Sequence, residues 1–274
     1  MWARLVILKT RGLSVPAVGG SVESESVDPS STPIAESASC SPVPTSQDGR
    51  PNLGAMSIER KDGQETFENT GQPVALRLSD FWAWSASDII GNTERGVLAE
   101  FIVGAAIGAD GIRDGVREEW AAYDLKVGDI AVEVKSAAFV QAWEQAAYSR
   151  VSFSYAKTQK YTTDNREDGE PSRAASVYVF ALLKHTDQAT LNPLDMAQWE
   201  FYVVPTLVLE HRKRSQSSVT LGSLKRFCTA VTFQELRQRV DAAAAFPRPH
   251  ISLDALADAL DDLGCDWSEW SRDE

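Results

Sequence analysis

A chain of 274 residues with 43% hydrophobic and 24% charged content can bury one substantial core, and it has no apolar run long enough to span a membrane. Its formal net charge of −12 argues against a surface built throughout for polyanions. Cys40, Cys228 and Cys265, like His185, His211 and His250, are too scattered for a spaced metal motif, and no glycine-rich phosphate loop occurs, which excludes a zinc module, a nucleotide motor and a dinucleotide enzyme.

Residues 1–55 are rich in Ser, Pro and Gly and carry no apolar period, which predicts a disordered low-complexity extension, with Met56 a candidate alternative start. The run Leu5-Val6-Ile7-Leu8 is too short for a signal sequence and is followed by Lys9 and Arg11, so the protein is expected in the cytoplasm, away from membranes. Phe81, Trp82 and Trp84 are spaced for stacking on bases, although such a cluster more often packs as core or lid. From Glu94 to Ala106 the spacing predicts a helix with the apolar stripe Val97, Leu98, Phe101, Ile102 and Ala105, capped by Asn92 or Thr93. Glu100 lies off that stripe, four residues from Gly96 and four from Gly104. Each glycine inside a helix costs about 1 kcal/mol relative to Ala, so the pair points to a close approach of backbone or ligand around the acid. Gly108 to Ile112 reads as a loop.

Two short runs follow, Trp120 to Asp124 and Ile130 to Lys135, with Val127-Gly128 as the turn that folds one strand back on the other. In the second run Ile130, Val132 and Val134 alternate with Glu133 and Lys135, so a strand places the acid and the lysine on one face, roughly 6–7 Å apart. Asp124 then approaches Glu133. Two carboxylates held close in a partly desolvated site repel, and either one takes a proton or a divalent cation settles between them. Oxygen ligands with no His or Cys favour Mg2+ or Mn2+, which activates water and polarises a phosphoryl oxygen, and a neighbouring lysine stabilises developing negative charge. The bland alternative is a solvated strand face with an ordinary cross-strand pair.

Beyond the motif, Ala137 to Tyr148 reads as a helix, Val151 to Tyr155 as a strand and Lys157 to Ala174 as a polar loop. Ser176 to Leu183 and Trp199 to Val204 read as strands, the second ended by Pro205. Helical patterns follow at Thr206 to Arg212, Ser223 to Phe227 and Phe233 to Ala245, the last opened by Thr232 with Glu235 three residues on. The order of elements predicts an α/β fold with a mixed central sheet flanked by helices.

Gly-x-x-x-Glu on a helix, then Asp-Leu, then Glu-Val-Lys resembles the PD-(D/E)xK nuclease superfamily, the restriction-endonuclease-like fold, over about Asp88 to Tyr155. Tyr123 stands where the name-giving proline would be. The resemblance implies that Glu100, Asp124 and Glu133 hold a metal, that Lys135 is catalytic, and that Gln141 matches a glutamine some members carry after the lysine. It implies a Mg2+-dependent or Mn2+-dependent endonuclease acting on DNA in restriction, repair or mobile-element defence, with a homodimer as in many relatives. Arg150, Lys157 and Lys160 are candidates for phosphate contacts, as is the patch His211 to Arg214 ahead of Lys225 and Arg226, which alternatively caps a helix.

The charge is unevenly placed. Residues 1–55 carry four basic and five acidic side chains, residues 56–248 carry 22 and 26, and residues 249–274 carry one and eight. The chain thus divides into an extension (1–55), a nuclease-like domain (56–248) and an acidic amphipathic tail (249–274). Leu253, Leu256, Leu260 and Leu263 form a stripe in the tail, beside Trp267 and Trp270, which suits a helix packed on the domain or a protein-binding segment. Two readings compete with the nuclease: an inactive nuclease-like binding module for nucleic acid or protein, and a metal hydrolase of another substrate.

Overall fold

The computed structural model describes residues 56–118, 121–161, 167–212 and 217–245, without the side chains of 159–169. The expected extension 1–55 and tail 249–274 lie outside the described residues. Among these residues the chain forms, in order, β1 (Thr66–Asn69), β2 (Gln72–Arg77), α1 (Leu78–Ala86), α2 (Asn92–Ile107), β3 (Leu125–Val127), β4 (Ile130–Ala138), β5 (Ser152–Ser154), β6 (Thr158–Tyr161), β7 (Glu167–Ser172), β8 (Val177–Leu183), β9 (Trp199–Pro205), α3 (Thr206–His211), β10 (Ser218–Thr220), α4 (Leu221–Phe227) and α5 (Leu236–Ala244).

β8 reads Val-Tyr-Val-Phe-Ala-Leu-Leu and is buried throughout, so it needs cover on both faces and belongs at a sheet centre. It lies between β4 and β9 in a sheet of order β3-β4-β8-β9, parallel to β4 and antiparallel to β9, while β3 is antiparallel to β4. On one face Val132, Val134, Val177, Val179 and Phe201 pack against Ala99, Ile102, Val103 and Ile107 of α2 and Leu236 and Val240 of α5. On the other, Tyr178, Phe180, Leu182 and Tyr202 pack against Phe153 and Val219 of the β5–β10 pair, Leu209 of α3 and Leu224 of α4. The molecule is therefore a mixed α/β structure with helices on both faces of a mixed sheet, as the element order predicts.

Several local expectations change. β4 continues through Ala138, and the helix expected over Ala137 to Tyr148 does not form. Ala137 and Ala138 pair with Leu182 and Leu183, and extension along the buried central strand outweighs alanine's helical preference. The strand expected over Trp120 to Asp124 is absent from the described part of that run, since pairing begins only at Leu125, and Trp120 itself lies outside the described residues. Lys157 to Ala174, expected as a loop, contains the antiparallel hairpin β6–β7. α2 begins at Asn92 behind Gly91 as N-cap, and buries Arg95, Ala99, Ile102, Val103 and Ile107, while Phe101 is exposed. The helix is apolar around most of its circumference, so the surfaces of β4 and α5 select which stripe is covered. The Thr232–Glu235 capping box forms as expected, ahead of a 3-10 turn leading into α5. No residue of α1 is buried, and Phe81, Trp82 and Trp84 remain exposed, which removes the core reading for that cluster among the described residues. No helix among the described residues is long and apolar enough to cross a membrane.

Candidate active site

Val127 pairs with Ile130, so Gly128 and Asp129 reverse the chain between β3 and β4, and Gly128 takes φ +56°, where a Cβ is strained. The hairpin fixes register. Leu125 lies opposite Val132, which brings Asp124 opposite Glu133. Asp124 stands just outside β3, and its Oδ2 accepts the Val134 N–H at 2.7 Å, a bond that a longer β3 would make with its backbone. Val132 and Val134 point to the α2 side, leaving Glu133 and Lys135 on the opposite face. The Lys135 ammonium pairs with Glu133 and stands 4.0 Å from Asp124 Oδ2. Asp124, Glu133 and Lys135 thus meet, each mostly buried.

α2 closes on this hairpin at Gly104, where a Cβ would come within 2.7 Å of Ile112 Cδ1 and 3.1 Å of Leu125 Cδ2. A Cβ at Gly96 would meet nothing within 4 Å outside its own helix among the described residues, so only one of the two glycines marks a close approach. Glu100, one turn before Gly104, accepts two hydrogen bonds from Arg117, Nε to Oε2 at 2.6 Å and Nη2 to Oε1 at 3.0 Å. Its charge nevertheless acts on both Asp124 and Lys135.

The electrostatics follow from this crowding. Burial and the Glu133 charge push Asp124 up to about 7, with Glu100 adding to the shift and Lys135 and the Val134 N–H opposing it. Burial alone would lower the Lys135 pKa, but the charges of Asp124 and Glu133 outweigh it and hold the ammonium protonated. Tyr178 of β8, in register with Glu133, has its phenol pushed up by burial and by that carboxylate. Two adjacent carboxylates, one of them costly to ionise, supply hard oxygen donors, the donor type that Mg2+ and Mn2+ prefer. Among the described residues no three His, Cys, Asp or Glu side chains converge to hold an ion, and the third acid is engaged by Arg117.

The expected phosphate-binding residues are not gathered here. Gln141 lies in an irregular loop, not on a helix, and its amide is engaged within the protein. Nε2 donates to Ala138 O at 3.0 Å and Ser149 Oγ at 3.1 Å, and Oε1 accepts from Arg95 Nη1 at 3.1 Å. Arg150 and Lys157 are exposed and make no ion pair among the described residues, and the Lys160 side chain lies outside them. Of the His211 to Arg214 patch, Arg212 is buried, with Nη1 donating to Tyr155 Oη at 3.0 Å, so it is no surface phosphate contact. His211 Nδ1 meets Leu207 O at 2.9 Å, the helix-capping alternative, and Lys213 and Arg214 lie outside the described residues.

Sequence reading passed over Arg95, Arg117 and Tyr178. Arg95 is buried on α2 and ties that helix to β4 and the loop, through Ser136 Oγ at 3.1 Å, Ile90 O at 2.8 Å and Asn92 Oδ1 at 2.6 Å. Its one sequence signal is a cation within an apolar helix. Arg117 meets Glu100 at a sequence separation of seventeen residues, and Tyr178 reaches the site through the parallel register, neither of which leaves a local pattern. No protein-family model, curated protein or solved structure matches the chain.

Proposed function

We propose that this chain is a divalent-metal-dependent endonuclease of the restriction-endonuclease-like fold, cutting DNA phosphodiester bonds by hydrolysis in the cytoplasm. The observation that carries the reading is the triad at the β3–β4 hairpin: Asp124 clamped to the Val134 N–H opposite Glu133, with Lys135 between the two carboxylates. Asp124 and Glu133 would hold the cation, with Glu100 as a third ligand once Arg117 gives way. A bound Mg2+ or Mn2+ supplies a water of lowered pKa and polarises a phosphoryl oxygen. Lys135, kept as a cation by its two acids, neutralises charge developing on that oxygen rather than accepting a proton.

The binding-module alternative draws on one specific observation, the pairing of Glu100 with Arg117. Titration calorimetry with Mn2+ separates the two. The nuclease reading expects one site in the wild type that Asp124→Asn abolishes. Absence of divalent-metal binding in the wild type favours the module. Strong salt dependence of DNA binding distinguishes a nuclease from a hydrolase of another substrate.

A further inference from the structure

We infer that the Tyr178 hydroxyl is a further substrate contact of this site, donating a hydrogen bond to a non-bridging oxygen of the phosphodiester seated beside Lys135. The inference rests on the nuclease reading and names a residue that reading does not use. β4 and β8 run parallel with Glu133 paired to Tyr178 and Lys135 to Phe180, so side chains of like parity stand on one face, in strands about 4.8 Å apart. Tyr178 therefore forms the floor next to Glu133. It is only 4% exposed, and its hydroxyl has no hydrogen-bond partner among the described residues. A buried hydroxyl without a partner gives its hydrogen to an acceptor that is seated beside Glu133 and Lys135.

The ring is held in place. Phe180 stacks on it at 6.0 Å between centroids, and Tyr155 meets it edge-on at 6.5 Å, so the hydroxyl cannot swing away without disturbing the core. The charged groups around it are Glu133 and Asp124 toward the site, with Arg173 and Glu210 also acting on it. A phenol at neutral pH is a neutral donor, so it adds a hydrogen bond to an anionic ligand without adding charge beside the lysine. Such a contact is made to bound substrate and transition state alike, and its loss raises KM more than it lowers kcat.

The test compares full-length wild type with Tyr178→Phe in three readouts: thermal unfolding, steady-state DNA cleavage in Mg2+, and anisotropy of a fluorescein-labelled DNA duplex in Ca2+. The expected result is an unchanged Tm, because the lost hydroxyl has no partner among the described residues, with KM and duplex Kd raised about 10- to 100-fold and kcat nearly constant. Wild-type kinetics and affinity in Tyr178→Phe, or a loss confined to kcat or to Tm, would overturn the inference while leaving the nuclease reading in place. A wild type that neither binds nor cleaves DNA would overturn the nuclease reading and this inference with it.

Discussion

Asp124 is charged only at a cost, because burial and Glu133 both oppose its ionisation. Its folded pKa of about 7 lies above the ordinary 3.8, so between those values the folded state binds more protons than the unfolded state. Metal-free protein should therefore lose stability as pH rises from about 4 to 7, the reverse of an ion-paired carboxylate. Thermal unfolding across that range should show Tm falling with pH in the wild type and a flatter profile in Asp124→Asn. Equal profiles would place the cost elsewhere. Arg117 sits at the same scale. Its pair with Glu100 is partly exposed on the arginine side, so Arg117→Ala should change stability by no more than about 1 kcal/mol. The released carboxylate should raise Mn2+ affinity by calorimetry, and a fall would mean that Arg117 supports the site. None of this pairing was legible in the sequence, where Glu100 stood out only for the glycines beside it.

At the scale of elements, the turn glycine and the second strand of the hairpin were legible because a turn residue and period-two alternation are local signals, and β8 followed from its apolar pattern. The first strand, by contrast, falls at Leu125–Val127 and not over Trp120 to Asp124. What tertiary structure decided was not legible. The Ala-rich segment after Lys135 reads as helix until β8 offers it a strand partner, and the stripe that α2 buries depends on where β4 and α5 lie. The two glycines of α2 show the same division. Gly96 stands in open space, and Gly96→Ala should stabilise the helix by up to about 1 kcal/mol, whereas Gly104→Val forces α2 away from Ile112 and Leu125 at a cost of about 1–3 kcal/mol. Urea unfolding of the two variants checks both signs. Because Leu125 adjoins Asp124, Gly104→Val should also lower Mn2+ affinity, which a merely weakened helix elsewhere would not do.

For the whole molecule, charge decides whether DNA is an acceptable partner. The net charge of −12 is divided so that residues 249–274, with one basic and eight acidic side chains, hold most of it. Deleting that segment should raise DNA affinity at low salt, and the gain should vanish at high salt as screening removes the repulsion. A gain that survives high salt would indicate that the tail competes for the site through apolar contacts instead. The most direct measurement of the central claim is incubation of supercoiled plasmid and linear single-stranded DNA with wild type and Lys135→Ala in Mg2+, Mn2+ or EDTA. Metal-dependent cleavage that Lys135→Ala abolishes is the predicted result. Intact DNA in every arm, with no metal-induced rise in thermal stability, would contradict it and leave the fold as a binding module.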